Sequence, residues 1–143
     1  MNKIKVEMSA LSENVSIARV ICAAFITPLD PSVEQVTELK TAVSEAVTNA
    51  VIHGYAAFDK IINETENVVT LEIFAEEKTV TVKISDKGIG IENIASAREP
   101  LFTTKPEMER SGLGFTVMEE FVDTVDVIST PGEGTTVTLI KKI

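Results

Sequence analysis

The sequence predicts an α+β fold: a two-layer α/β sandwich in which helices cover one face of a mostly antiparallel sheet. Apolar and polar residues alternate in short runs near both ends of the chain, as they do in half-buried strands. Two stretches in the first third repeat their apolar residues at helical spacing. The predicted strands occur mostly in pairs, and the order β-α-α-β-β-α-β-β favours one sheet with its helices packed on one side.

The length and charge of the chain limit what it can be. Its 143 residues, 44% hydrophobic and 24% charged, suit a single globular domain spanning residues 1–143. A net charge of −9 argues against direct binding to DNA or RNA, because phosphate backbones would repel it. The start of the chain lacks the apolar core of a signal peptide, and no apolar run is long enough to span a bilayer. We therefore expect a cytoplasmic protein without a membrane segment.

The cysteine and histidine content excludes two kinds of site. Cys22 is the only cysteine, so no internal disulfide can form, which fits a reducing compartment. His53 is the only histidine, which argues against a metal site made of cysteine and histidine. Cys22 lies in an apolar stretch and is predicted to pack in the core.

The first 30 residues are predicted to form a strand and a helix. The strand is indicated by the alternation of Ile4, Val6 and Met8. Ser12 is the expected helix cap, and Pro28 follows the predicted end of the helix. Arg19 lies off the apolar face, so we expect it to point to solvent or to a partner. The apolar face of this helix consists of Val15, Ala18, Cys22 and Phe25.

A longer helix follows. Ser32 and Gln35 have the spacing of a capping box, so the helix is predicted to begin there. Its apolar residues recur at helical spacing to about Ile52, and Gly54 is a plausible stop. Residues 56–67 have weak periodicity and are predicted to form a loop.

The second half of the chain is predicted to supply four strands and a further helix. A hairpin is expected around residues 76–78, and a second one around residues 131–134, where the sequence is Pro-Gly-Glu-Gly. A short helix is predicted over residues 91–98. The first hairpin is indicated by the alternating residues Val69, Leu71, Ile73, Val80, Val82 and Ile84. A separate helix between the two hairpins is indicated by Phe115, Met118, Phe121 and Val122. The last hairpin is indicated by Val125, Val127, Val137 and Leu139.

Three polar residues on the long helix are candidates for chemistry. Glu45, Asn49 and His53 are spaced four apart, so they share one face of the helix. The alternative is a solvated polar stripe. His53 has two interpretations of its own, as a polar neighbour of a ligand or simply as the end of the helix, and we assign it no catalytic role.

Two glycine-rich segments could approach a nucleotide. Asp86, Gly88 and Gly90 form a D-x-G-x-G turn at a strand end, where a carboxylate can accept from an amino group such as that of adenine. Residues 110–114, Arg-Ser-Gly-Leu-Gly, stand directly before a helix, whose N-terminal N–H groups bind phosphate well, and the arginine adds a forked cation. An ordinary turn and an ordinary helix start are the alternatives. A third element, residues 134–136 (Gly-Thr-Thr), begins the last strand. The alternative interpretation of this element is a hairpin turn.

The combination of these elements and their order resemble the ATPase and kinase superfamily of gyrase, Hsp90, histidine kinases and MutL. The chain lacks a P-loop and the motifs of eukaryotic-type kinases. Residues 44–55 (SEAVTNAVIHGY) are similar, more closely, to the bacterial anti-sigma kinases. Residues 98–115 (REPLFTTKPEMERSGLGF) are similar to those of endospore-forming bacteria in particular. Residues 9–14 and 18–20 extend that resemblance to nearly the whole chain.

The resemblance implies a Bergerat-type ATP-binding fold that uses ATP and Mg²⁺. It implies that Asn49 binds the magnesium ion, that Glu45 is the catalytic general base, and that Asp86 reads adenine with support from Thr135. It further implies an ATP lid over about residues 91–113 and a partner contact by Arg19. The remaining nucleotide contacts implied are Gly88, Gly90, Thr104, Lys105, Arg110, Ser111, Gly112, Leu113 and Gly114.

The same resemblance implies a function and partners. Proteins of this type are homodimers that bind and inhibit a sigma factor, here sigma factor F, and phosphorylate a serine of an anti-anti-sigma protein. Residues 1–30 would form the dimer or partner surface. Two alternatives remain open: an ATP-hydrolysing or histidine-kinase-like catalytic domain, and a binding module in which the nucleotide only sets a conformation.

Overall fold

The computed structural model describes residues 1–55, 67–88, 91, 94, 98 and 114–143. In these residues, one antiparallel sheet of five strands carries three α-helices on one of its faces. The α+β sandwich predicted from the sequence is confirmed. The strands are β1 (Asn2–Ser9), β2 (Val68–Glu76), β3 (Thr79–Asp86), β4 (Thr124–Thr130) and β5 (Gly134–Lys142). The helices are α1 (Asn14–Ile26), α2 (Val33–Asn49) and α3 (Gly114–Phe121), with a 3-10 turn at Thr27–Leu29 and a π-helix at Ala50–Tyr55.

The sheet joins two hairpins through their inner strands. Its order is β1-β2-β3-β5-β4, and every neighbouring pair is antiparallel. The β3–β5 pairing places Asp86 opposite Thr135 at one end of the sheet and Thr79 opposite Lys142 at the other. This long-range pairing brings the end of the D-x-G-x-G strand next to the Gly-Thr-Thr segment.

The core lies between the helices and one face of the sheet. Alternate residues of β2 and β3 are buried, while those between them are only partly covered, so one sheet face packs and the other stays open. Burial of these apolar side chains is the main favourable term in folding. Cys22 is fully buried, and burial raises the pKa of its thiol to about 12, so it behaves as a core residue. The largest fully buried side chains are Ile26, Leu39, Leu71, Ile73, Ile84, Met118 and Leu139.

The two N-terminal helices begin differently. Ser32 and Gln35 form the predicted capping box: the Gln35 N–H donates to Ser32 Oγ at 3.1 Å, and the Ser32 N–H donates to Gln35 Oε1 at 2.9 Å. The first helix does not use Ser12 as its cap. It begins at Asn14, whose Nδ2 donates to the carbonyl of Ser9 at 2.8 Å and so fastens the helix start to the end of β1.

The long helix changes its hydrogen-bond pattern directly after Asn49. We expected regular helix to about Ile52, but α2 ends at Asn49 and a π-helix continues to Tyr55. A π-helical turn is wider than an α-helical one and is frequently found at functional sites. This segment also contacts β3 and β5, so it connects the end of α2 to the sheet.

Several expectations lie wholly or mainly outside the described residues. They are the loop over residues 56–67, most of the short helix over residues 91–98, and most of the lid. Within the second, Ile94 is helical and the Arg98 N–H donates to the Ile94 carbonyl at 3.0 Å. In the described part of the chain, no helix is both long and apolar enough to cross a membrane.

Candidate functional site

Two polar side chains of α2 converge on the first residue of α3. A Cβ atom on Gly114 would lie 3.3 Å from Glu45 Oε2 and 3.4 Å from Asn49 Oδ1. Asn49 Nδ2 is nearest, at 3.2 Å. Both side chains therefore lie in the same small space beside the N-terminal end of α3, as their spacing of four residues on one helix face predicts. Glycine at position 114 is what lets the two helices approach so closely here.

The chemistry of this space suits a cation bound together with phosphate. A carboxylate and an amide oxygen are hard ligands of the kind that Mg²⁺ takes along with phosphate oxygens. The N-terminal end of α3, which as a helix N-terminus favours anions, lies beside both side chains. The side chains present here therefore have the oxygen ligands that a magnesium ion bound beside a phosphate would need.

Asp86 forms a second group of polar contacts at the end of β3. Its Oδ1 accepts a hydrogen bond from the Gly88 N–H at 2.8 Å, and the Thr135 N–H also donates to this carboxyl. Burial nevertheless raises the pKa of Asp86 to about 6, because these two donors only partly offset the loss of water. A carboxylate accepts up to about four hydrogen bonds, so a further donor such as an amino group fits this site.

Gly134 makes the approach of β5 to Asp86 possible. Its φ is +121°, and a Cβ atom there would lie 2.2 Å from the carbonyl oxygen of Asp86. A residue with a side chain would be strained in this conformation and would collide with the backbone of β3. Gly134, the first residue of β5, therefore also allows Thr135 to lie beside Asp86.

Ser129 on β4 contacts Thr135 beside Asp86, and the sequence patterns did not predict this contact. Its Oγ accepts from the Ile91 N–H at 2.7 Å, donates to the Gly134 carbonyl at 3.1 Å, and lies 2.8 Å from Thr135 Oγ1. A signal was present: residue 129 continues the alternation of Val125 and Val127, so it falls on the side facing the helices. A polar group in such a position needs partners.

The two groups lie at the same end of the molecule. Lys141 at the opposite end donates to Glu38 Oε2 at 2.8 Å and to the Phe121 carbonyl at 2.7 Å. Because Glu38 is near the start of α2 and Phe121 ends α3, these helices run antiparallel. The end of α2 and the start of α3 then lie toward the end of the sheet that carries Asp86, and the π-helix joins them to β3 and β5.

The predicted site residues divide into those the structure places and those it leaves undescribed. Arg19 lies apart from the site on α1. It is half-buried rather than pointing fully to solvent, and its Nε is buried without a hydrogen-bond partner among the described residues. The residues placed at the site are Glu45, Asn49, Asp86, Gly88, Gly114 and Thr135. Those outside the described residues are Gly90, Thr104, Lys105, Arg110, Ser111, Gly112 and Leu113.

Comparison with protein families gives a match over most of the chain. Residues 8–141 match the model of the histidine kinase-like ATPase domain. The chain is 54% identical to an anti-sigma F factor of Anoxybacillus flavithermus, covering 99% of this chain and 93% of the relative. It is 55% identical to an anti-sigma F factor of Bacillus thuringiensis, covering 98% of this chain and 92% of the relative.

Solved structures share the fold at low sequence identity. A chain containing the RsbU and RsbW domains of Rv1364c from Mycobacterium tuberculosis superposes with a TM-score of 0.67 at 17% identity, covering 99% of this chain and 32% of that one. The catalytic domain of the histidine kinase ThkA superposes with a TM-score of 0.54 at 15% identity, covering 97% of this chain and 95% of that one. These likenesses support the fold and leave the function to the site and the sequence relatives.

Proposed function

Because this chain belongs to the histidine kinase-like ATPase family and, within it, to the anti-sigma F factors, we propose that it is an ATP-dependent serine kinase that also binds and inhibits sigma factor F. Its kinase substrate would be a serine of an anti-anti-sigma protein. The observation that carries the kinase proposal is the convergence of Glu45 and Asn49 on Gly114 at the start of α3.

The roles proposed for the site residues are supported by their positions. Asn49 is proposed to hold Mg²⁺, which neutralises phosphate charge. Glu45 is proposed to accept the hydroxyl proton of the substrate serine as its oxygen attacks the γ-phosphorus and ADP leaves. A positioned base of this kind contributes typically about 10²–10⁴-fold, while the rest of phosphoryl transfer depends on positioning and charge stabilisation. Asp86, Thr135 and the glycine turn are proposed to hold the adenine.

The N-terminal part of the chain is the proposed partner surface. Ile17 and Val20 on α1 are apolar yet 50% and 63% exposed, so α1 presents an apolar surface beside Arg19. We propose that residues 1–30 carry homodimer and sigma-factor contacts and that Arg19 takes part in the latter. A cytoplasmic location belongs to the same proposal, since sigma factors act on RNA polymerase inside the cell.

Transfer of label from γ-labelled ATP tests the proposal. The purified protein is incubated with the anti-anti-sigma protein and, separately, with sigma factor F and each nucleotide. Stable label on a serine of the first protein and capture of the second are the expected results. Release of phosphate without protein labelling would instead support the ATP-hydrolysing alternative, and nucleotide binding with neither reaction would support a simple binding module.

A pair of charge reversals tests the partner surface. Arg19→Glu is expected to weaken capture of sigma factor F while leaving ATP binding unchanged. Lys142→Glu, an exposed position at the far end of β5, is the matched control and should leave capture intact. Normal capture by the Arg19→Glu protein would remove Arg19 from the interface.

A further inference from the structure

We propose that Ser129 is a specificity-determining positioning residue, which makes Thr135 present only hydrogen-bond acceptors to the base and so favours adenine over guanine. The proposal rests on the proposed ATP site and adds to it a residue that would not touch the nucleotide. It follows from counting the protons in the hydrogen bonds around Ser129.

The hydroxyl of Ser129 has one proton and two lone pairs. We assign that proton to the Gly134 carbonyl, 3.1 Å away, because a carbonyl oxygen can only accept. The Ile91 N–H, at 2.7 Å, uses one lone pair of the same oxygen. All three contacts are hydrogen bonds at once only when Thr135 donates and Ser129 accepts in the remaining one, 2.8 Å from Ser129 Oγ to Thr135 Oγ1, and we assign it in that direction.

This assignment fixes the polarity of Thr135. Its only hydroxyl proton is directed to Ser129, so the lone pairs are what it can offer to a ligand. Asp86 lies opposite Thr135 and, when ionised, is also an acceptor only. Asp86 and Thr135 therefore present only acceptors, which suit the amino group of adenine. Guanine has a carbonyl oxygen at the corresponding position, and this oxygen would find no hydrogen-bond donor there.

Removing the Ser129 hydroxyl would undo this polarity. In Ser129→Ala the Thr135 proton is free to turn outward and donate, and the Ile91 N–H loses its acceptor. Loss of one or two hydrogen bonds of ordinary strength corresponds to roughly a tenfold change in binding. We expect ATP affinity to fall by about tenfold and the ATP-to-GTP affinity ratio to fall by a similar factor.

The same strands offer a matched control on the opposite face of the sheet. Ser85 Oγ lies 3.1 Å from Thr136 Oγ1, and both side chains are on the open face. Ser85→Ala thus removes a similar hydroxyl pair between β3 and β5 without touching the network of Ser129. Ser129→Thr keeps the hydroxyl, and its branched side chain suits a strand, so it serves as the rescue variant.

The test is titration calorimetry of the whole chain with Mg²⁺-ATP and Mg²⁺-GTP, with thermal melts to confirm folding. Ser129→Ala should lose affinity and selectivity, while Ser85→Ala should keep both and Ser129→Thr should recover most of the selectivity. Thr135→Val should lose at least as much as Ser129→Ala, because it also removes the acceptor that Thr135 offers to the base. The double variant should lose little more than Thr135→Val, because Ser129 acts through Thr135.

The outcomes separate this inference from the function on which it rests. If the unmodified protein binds ATP and a folded Ser129→Ala keeps its affinity and ATP-to-GTP ratio, the role of Ser129 is wrong and the ATP site stands. Equal losses in Ser85→Ala and Ser129→Ala would also contradict it, because the effect would then be a general loosening of the strands. If the unmodified protein binds neither nucleotide, the proposed function fails together with this inference.

Discussion

The buried charged groups at the two ends of the sheet differ in how they are compensated. At one end Lys141, only 6% exposed, is paired with Glu38 and with the last carbonyl of α3. At the other end Asp86 keeps a raised pKa despite two backbone donors, and Gly134 adopts a φ of +121° against the backbone of β3. Backbone strain and a costly buried charge lie where a ligand is proposed to bind, whereas the ion pair at the other end connects α2, α3 and β5.

Replacement of Gly134 should produce the largest loss of stability. Gly134→Ala combines a positive φ with a Cβ placed 2.2 Å from the Asp86 carbonyl oxygen, so we expect it to lower the free energy of unfolding by about 4 kcal/mol. Gly132→Ala is the control, because its φ is +83° but no atom lies within 4 Å of the added Cβ. Strain alone should cost about 1 kcal/mol there. Urea unfolding measures both, and equal losses would show that the contact with β3 is unimportant.

Neutralising Asp86 should stabilise the protein while weakening ATP binding. The pKa of Asp86 is raised from 3.8 to about 6, so its contribution to stability is present below pH 4 and is lost as the pH rises through 6. At pH 8 the buried charge should therefore cost about 3 kcal/mol, which Asp86→Asn removes. The variant should gain that stability relative to the unmodified protein between pH 4 and pH 8.

Urea unfolding across this pH range measures the gain in stability, and ATP calorimetry at pH 8 measures the loss of ATP binding. Asp126→Asn, an exposed carboxylate on the open face of β4, is the matched control for loss of one charge. A folded Asp86→Asn protein with unchanged ATP affinity and selectivity would exclude Asp86 from adenine recognition. A variant less stable at pH 8 than the unmodified protein would contradict the burial cost.

At the paired end, the expected effect depends on which partner is removed. Glu38→Gln leaves the buried Lys141 cation without its counter-charge and should cost about 2 kcal/mol. Lys141→Met should cost less, about 1 kcal/mol, because the Glu38 side chain is 26% exposed and keeps some contact with water. Neither should change ATP affinity. Urea unfolding and calorimetry check this, and a loss of ATP binding in either folded variant would show that the two ends are coupled.

The sequence predicted the parts of this fold that depend on local patterns. The helical spacing in α2, the capping box of Ser32 and Gln35, and the alternation in the strands are set by neighbours along the chain. The order of the strands was not available in this way. Pairing of β3 with β5 joins residues that are far apart in the sequence, such as Thr79 and Lys142, and periodicity does not specify which strands become neighbours.

The candidate site shows the same division. Glu45, Asn49 and Asp86 stand in recognisable motifs, and the structure brings the first two together on Gly114. Ser129 belongs to no motif, because its role depends on Thr135 and Ile91 lying near it in space. The π-helix after Asn49 was also missed, since the same apolar spacing suits a regular helix and the difference lies in hydrogen bonds formed with the whole fold present.

The most direct test of the account compares Glu45→Ala with Asn49→Ala in phosphate transfer and Mg²⁺-ATP affinity. If Glu45 is the general base, Glu45→Ala should lose about 10²–10⁴-fold in transfer rate while still binding ATP and sigma factor F. Asn49→Ala should lose Mg²⁺-ATP affinity itself, because a metal ligand is gone. Circular dichroism confirms folding of both. A folded Glu45→Ala protein that transfers phosphate at the normal rate, or that loses ATP affinity as severely as Asn49→Ala, would contradict the assignment of Glu45 as the base.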